Sequence, residues 1–307
     1  MKLSPPLQKK ARTFAFKSRL AALRTTLQFH AHFSPARAAK LAEATFLTAP
    51  RLPYRTSERV ALSLAQRSTV SFKEKELAVW SWGQLEGPVV MLVHGWAGRG
   101  AQLQAFIAPL VNAGYRVITF DAWGHGLSEG DYTSMLDMAE SLLAVSHNFG
   151  PIYGIIAHSL GSAATAMALQ RGLSTERLVM VGPPARMHNS FGHFASQMGL
   201  PTSVAARAQQ RIEKRYQIHF QDLHIDRLIS GQMAPLLVIH DLDDREVSWD
   251  QGEYIAQQWP GAQLVTTKGL GHLKILGDTQ VIARSLAFLN CEAYLEPISP
   301  MMEQLLA

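Results

Sequence analysis

From residue 68 onward, short apolar runs take turns with helical stretches, and this alternation restricts the fold more than any other property of the chain. Val89–Val93 reads VVMLV and Arg116–Phe120 reads RVITF. Similar runs follow at Tyr153–Ala157, Leu178–Val181, Leu236–Ile239 and Gln263–Thr267. Between them the apolar spacing turns helical over Gln102–Asn112, Thr133–His147, Leu160–Gln170, Asp250–Gln258 and Thr279–Leu289. Strands that are apolar at nearly every position must be covered on both faces, and parallel neighbours need a crossover helix between them. The expected fold class is therefore α/β, with a mostly parallel, doubly covered sheet. Ser68–Phe72 and Glu76–Trp82 are two further expected strands that lead into it.

Two stretches fall outside the alternation. From about Pro183 to Ala234 no clear strand occurs, and Ser203–Tyr216 is helical with Arg207, Arg211, Lys214 and Arg215 on it; residues 183–234 are expected to be a helical lid inserted in the catalytic domain. At the other end, Phe16, Leu20, Leu23 and Leu27 recur at spacings of four, three and four among basic residues, which predicts an amphipathic helix. Ser34 as a cap with Pro35 at the first helical position opens a second helix that runs to about Thr48. The expected organisation is a basic helical extension over residues 1–60 and a catalytic domain over 61–307.

Charge supports that division. The net charge of the chain is +5, yet residues 1–60 hold twelve Lys and Arg against Glu43 and Glu58, a net +10, which leaves −5 for the remainder. The basic excess is thus no property of the expected catalytic surface, and no recognition motif accompanies it, so nucleic acid is not an expected partner. With 47% hydrophobic and 17% charged residues, the chain lacks the composition of a disordered protein. The one cysteine, Cys291, excludes an internal disulfide framework and is expected to be a buried small residue in a reducing compartment, the cytoplasm. No signal-type leader and no long apolar span is visible.

In open α/β sheets ligands bind beyond the carboxyl ends of the strands, so the residues directly after each strand carry the information about chemistry. After Tyr153–Ala157 comes His158-Ser159-Leu160-Gly161-Ser162. A serine is a nucleophile only when a sharp turn presents it beside a base, and small neighbours permit that turn. After VVMLV comes His94-Gly95-Trp96-Ala97-Gly98, where a glycine-permitted turn can aim amides at a developing oxyanion; the N–H groups of Trp96 and Leu160 are the assigned donors. After Leu236–Ile239 comes the acid-rich His240-Asp241-Leu242-Asp243-Asp244-Arg245-Glu246-Val247, and after Gln263–Thr267 comes Gly269-Leu270-Gly271-His272. Serine, acid and histidine then follow successive strands in one known triad order.

On these motifs, with Asp121–Gly130 (DAWGHGLSEG) as a further match, the chain resembles an α/β-hydrolase-fold serine hydrolase over roughly residues 68–290. The resemblance implies Ser159 as nucleophile, Asp244 as triad acid and His272 as base. Asp244 is chosen because it stands four residues after His240 and three before Val247, the family's spacing; Asp243 and Asp241 are the alternatives. Two departures from the family pattern are Ala157 in place of the first elbow glycine and Asp241 in place of a usual glycine. The implied activity is cleavage of a carboxylic ester with an apolar part through an acyl-enzyme. Thioester or carbon–carbon bond hydrolysis on the same fold is the alternative, and a non-catalytic binding or membrane-associated protein is the alternative of another class.

No cofactor and no metal is expected: the histidines His188, His193, His219 and His224 show no ligand spacing. The expected partner is the small-molecule ester or thioester. For residues 1–33 the first reading is a solvated helix packed on the catalytic body, and the alternatives are peripheral contact with the inner membrane face and a surface for a partner protein. The sequence sets no oligomeric state.

Overall fold

The computed structural model describes residues 5–291, and side chains at residue 18 and from residue 20 onward. In chain order the helices are α1 (Pro5–Phe33), α2 (Pro35–Phe46), α3 (Thr56–Ser63), α4 (Ile107–Asn112), α5 (Met135–Phe149), α6 (Leu160–Gln170), α7 (Ser190–Met198), α8 (Thr202–Tyr216), α9 (Ile225–Ile229), α10 (Asp250–Gln258), α11 (Gly271–Lys274) and α12 (Thr279–Leu289). The strands are β1 (Gln66–Phe72), β2 (Lys75–Trp82), β3 (Val89–Val93), β4 (Arg116–Phe120), β5 (Ile152–His158), β6 (Thr175–Val181), β7 (Leu236–Asp241) and β8 (Gln263–Thr267). Where a single helix over 102–112 is expected, a 3-10 segment at Gly100–Phe106 precedes α4. Pro109 stands at the third position of α4, where its missing N–H would have no partner within that helix.

Two compact units form among these elements. One holds the described residues up to Ala49 together with Arg186–Arg227; the other holds Pro50–Ala185 and the described residues from Leu228. The N-terminal helices and the insertion thus fold as one body, although the sequence suggests two separate additions. Residues 50–60 fall with the sheet.

The larger unit carries one eight-stranded sheet in the order β1-β2-β4-β3-β5-β6-β7-β8. Strand β2 runs antiparallel to β1 and β4, and all other pairs are parallel. Each residue of β3 is buried, as its unbroken apolar run requires. Leu92, Ile156, Val179 and Ile239 lie in the core with Phe106 and Leu276 from the covering layer. The chain leaves β3 for β4 on one side, and β5 returns to its other side, which creates a topological switch point at their carboxyl ends.

The smaller unit has its own core. Phe46 of α2 meets Phe191, Phe194 and Phe220 at centroid distances of 5.1, 5.4 and 6.3 Å. Buried Glu43 accepts hydrogen bonds from Arg211 Nε (2.5 Å) and Arg215 Nε (2.9 Å) of α8. Of the expected apolar face of α1, Leu27 is buried, Leu23 is half-buried and Leu20 is 41% exposed; the side chain of Phe16 lies outside the described residues.

Cys291 corrects an expectation. It is exposed because α12 stops at Leu289, and the thiol lies beyond the helix, 2.5 Å from Arg177 Nη2.

Candidate active site

Ser159 stands at the junction of β5 and α6 with φ 53° and ψ −128°. A positive φ on a non-glycine residue costs about 1–3 kcal/mol and persists only where its surroundings hold it. Here its N–H donates to Val181 O (2.9 Å) and its carbonyl accepts from Ser162 N–H (2.8 Å). Close approach of the neighbouring chain depends on missing side chains. A Cβ on Gly161 would sit 2.4 Å from His94 O, and one on Gly95 would sit 2.8 Å from Ser159 Cβ. The loop after β3 therefore lies directly against the serine turn. The first amides of a helix have no acceptor within it, and Leu160 opens α6. The sequence departure at Ala157 is accommodated: its side chain is fully buried in β5.

His272, in α11, joins the serine to the acid loop. Its Nδ1 lies 2.7 Å from Asp244 Oδ2 and its Nε2 lies 2.8 Å from Ser159 Oγ. A carboxylate carries no proton to give, so Nδ1 holds the hydrogen and donates it, and Nε2 is left to accept from the serine hydroxyl. Asp244 Oδ1 accepts from the amides of Glu246 (2.8 Å) and Val247 (3.0 Å). Burial acts to raise the Asp244 carboxyl, but His240, His272 and the Val247 amide outweigh it and hold the group well below the usual carboxylate range.

The other two aspartates of the loop hold its turns. Asp243 Oδ2 accepts from Gly269 N–H (3.0 Å). Asp241 uses both oxygens: Oδ1 accepts from the amides of Asp243 (3.0 Å) and Gly271 (2.9 Å), and Oδ2 accepts from Thr267 Oγ1 (2.7 Å) and Leu270 N–H (3.0 Å). Burial opposes the charge on Asp241, and these donors overcome it, so its carboxyl is also lowered. It fixes the turn that carries His272.

Three supporting residues carry no assigned role in the sequence reading. Gly182, directly after β6 with φ +58°, leaves room for the imidazole, since a Cβ there would lie 3.3 Å from His272 Nδ1. His240 donates from Nε2 to Val247 O (3.0 Å), with Asp244 Oδ2 at 3.5 Å. His158 packs against His272 with the rings tilted and their centroids 4.6 Å apart, and it donates from Nε2 to the His272 carbonyl (3.0 Å). A glycine or histidine immediately after a strand was the available clue.

A frame of buried groups holds the loops after β3 and β4. His94 accepts the Ala122 amide at Nε2 (2.9 Å) and donates from Nδ1 to Gly95 O (2.7 Å). Asp121 accepts from Gly100 N–H (2.8 Å), Leu127 N–H (2.7 Å) and Tyr54 Oη (2.5 Å). Glu58 Oε2 receives both Nε and Nη2 of buried Arg99, at 2.9 and 2.6 Å. Burial pushes His94 down to about 4, and His125 and His158 down to about 3, so all three are neutral near pH 7. Trp96 is 37% exposed and sets its ring edge-on to His125 at 5.6 Å.

The fold has its counterpart among known proteins. The alpha/beta hydrolase family matches residues 90–284, well over half of the chain, and the protein belongs to that family. It is 34% identical over 130 residues to the magnesium-chelatase 30 kDa subunit of Rhodobacter capsulatus, covering 41% of this chain and 43% of that one. It is 32% identical over 72 residues to serine hydrolase-like protein 2 of Homo sapiens, covering 24% and 23%. The chain thus spans less than half the length of these curated relatives. An esterase of Pyrococcus furiosus shares the fold, with a TM-score of 0.60 at 18% identity, covering 80% of this chain and 99% of the other.

Among the described residues, no helix is long and apolar enough to cross a membrane, and no group of three or more His, Cys, Asp or Glu could hold a metal ion.

Proposed function

We propose that this protein is a serine hydrolase that cleaves a carboxylic ester through an acyl-enzyme, with Ser159 as nucleophile, His272 as general base and Asp244 as its partner acid. One observation carries the reading: the unbroken relay from Ser159 Oγ through His272 to Asp244, at 2.8 and 2.7 Å. His272 Nε2 takes the serine proton as Oγ attacks the carbonyl carbon, and the charge on the imidazole is balanced by Asp244. The amides of Trp96 and Leu160 receive the oxyanion, aided by the positive end of α6. Collapse of the intermediate expels the alcohol, which takes the proton from His272. Water then attacks the acyl-serine with His272 again as base.

An apolar part of the substrate is favoured by the partly exposed Trp96 ring in the same loop as the oxyanion amide. Thioesters undergo the same chemistry, and the leaving group alone distinguishes them. The name of the Rhodobacter capsulatus relative is not that of a hydrolase; the intact relay favours turnover over a purely binding role. A chain-length series of p-nitrophenyl esters beside acyl-CoA thioesters tests the proposal. We expect p-nitrophenyl ester hydrolysis with a preference beyond acetate, reduced by about 10⁴-fold or more in Ser159→Ala. Wild-type protein that turns over none of these substrates, or Ser159→Ala that retains the wild-type rate, overturns it.

A further inference from the structure

The two compact units carry opposite charge. The unit of Met1–Ala49 and Arg186–Arg227 contains fifteen Lys and Arg against four Asp and Glu, a net +11, so the rest of the chain is −6. Helix α1 alone holds six Lys and Arg and no acid over 29 residues. Along one of its faces Ser18, Ala22, Thr25, Phe29 and Phe33 follow at spacings of four, three, four and four, and all five are exposed. None is charged. The line ends in an aromatic pair, Phe29 and Phe33, which are 59% and 69% exposed with ring centroids 4.8 Å apart. Leu27, on the opposite face, is fully buried. In the sequence the same uncharged spacing runs back through Phe14, Ala11 and Leu7.

An exposed phenylalanine pair at the end of a helix with only positive charge needs a partner that is apolar within and anionic at its surface. A bilayer with anionic headgroups meets both conditions. A second copy of this unit would bring +11 against +11. A single-stranded nucleic acid favours aromatic faces within a cationic groove, whereas this line is uncharged and lies on a convex helix. We propose that the outward face of α1 docks on an anionic lipid surface, Phe29 and Phe33 entering the boundary between headgroups and acyl chains while the net positive charge of the unit is drawn to the anionic headgroups. The proposal is independent of whether the protein turns over an ester.

Sedimentation of the full chain with vesicles tests it. We expect binding to mixed phosphatidylcholine–phosphatidylglycerol vesicles, weak binding to pure phosphatidylcholine, and loss of binding as salt rises. The double variant Phe29→Ser, Phe33→Ser replaces exposed residues and is expected to keep the wild-type circular dichroism and melting temperature while losing about tenfold or more in partitioning. Equal binding to neutral and anionic vesicles overturns the proposal, as does unchanged partitioning of the double variant. So does a Phe29- and Phe33-dependent dimer, or complex with single-stranded RNA, in protein that does not bind the mixed vesicles. If the double variant melts early, Phe29→Ser alone with the salt series decides between the same outcomes.

Discussion

Replacing Asp241 by asparagine separates the two acids that flank the histidine turn. The carboxylate accepts four hydrogen bonds, two on each oxygen. Asparagine offers one oxygen, and its best placement keeps the amides of Asp243 and Gly271. The new NH₂ then faces Thr267 Oγ1, which can rotate to accept, and the Leu270 amide, which cannot. One stranded backbone donor costs about 1–3 kcal/mol, and the remaining bonds lose their charge assistance, so the loss of stability is about 3 kcal/mol. For a body of this size that lowers the melting temperature by about 10 °C. In Asp244→Asn the oxygen can remain on the Glu246 and Val247 amides, and the NH₂ turns to His272 Nδ1. The imidazole then answers by moving its hydrogen to Nε2, where it can no longer accept from Ser159. We expect kcat for a p-nitrophenyl ester to fall about 10⁴-fold with a small change in melting temperature. Asp241→Asn should instead keep most of its kcat below its lowered transition. Differential scanning calorimetry and kcat measured on both variants decide the matter. Loss of turnover without loss of stability in Asp241→Asn, with an active Asp244→Asn, refutes the assignment.

Further outcomes follow from the buried frame. His94, His125 and His158 have folded pKa values of about 4, 3 and 3 against 6.5 when unfolded; the unfolded chain binds their protons first, so their stabilising effect is complete above pH 6.5 and is lost as pH falls toward the folded values. Each contributes about 3 kcal/mol of that loss by pH 4, and circular dichroism during acid titration should show unfolding before pH 4. Glu58→Ala leaves Arg99 buried without its carboxylate and should cost about 3–5 kcal/mol in urea denaturation. Gly161→Ala drives a Cβ to 2.4 Å from the His94 carbonyl; the elbow must shift, and both ester turnover and thermal stability should fall, whereas Gly172→Ala, which meets no atom within 4 Å, should leave turnover intact.

Why the strands are unambiguous in the sequence and the acid has two rivals comes down to what each needs. VVMLV is buried throughout, and only a doubly covered strand suits such a run. Ser159 was marked by small neighbours after a strand, which its φ of 53° and the close approach of Gly161 to His94 require. Asp241, Asp243 and Asp244 are chemically alike, and only the folded loop assigns one to the Gly271 amide, one to the Gly269 amide and one to His272. Spacing to His240 and Val247 favours Asp244 and leaves Asp243 and Asp241 as alternatives. The joining of α2 to α8 was invisible for a different reason: Glu43 meets Arg211 and Arg215 across more than 160 residues, and a non-local pairing leaves no periodic trace in either segment. Residue 291 shows the limit of residue-type preference, since cysteines favour burial on average but this one stands beyond the last described helix.

The most direct test of the account is covalent labelling of the full-length protein with a fluorophosphonate, located by peptide mass spectrometry. The account expects one adduct, on Ser159, formed at a rate that drops sharply in His272→Ala and absent in Ser159→Ala. Labelling at a different serine, or no adduct on Ser159 in correctly folded wild-type protein, contradicts it.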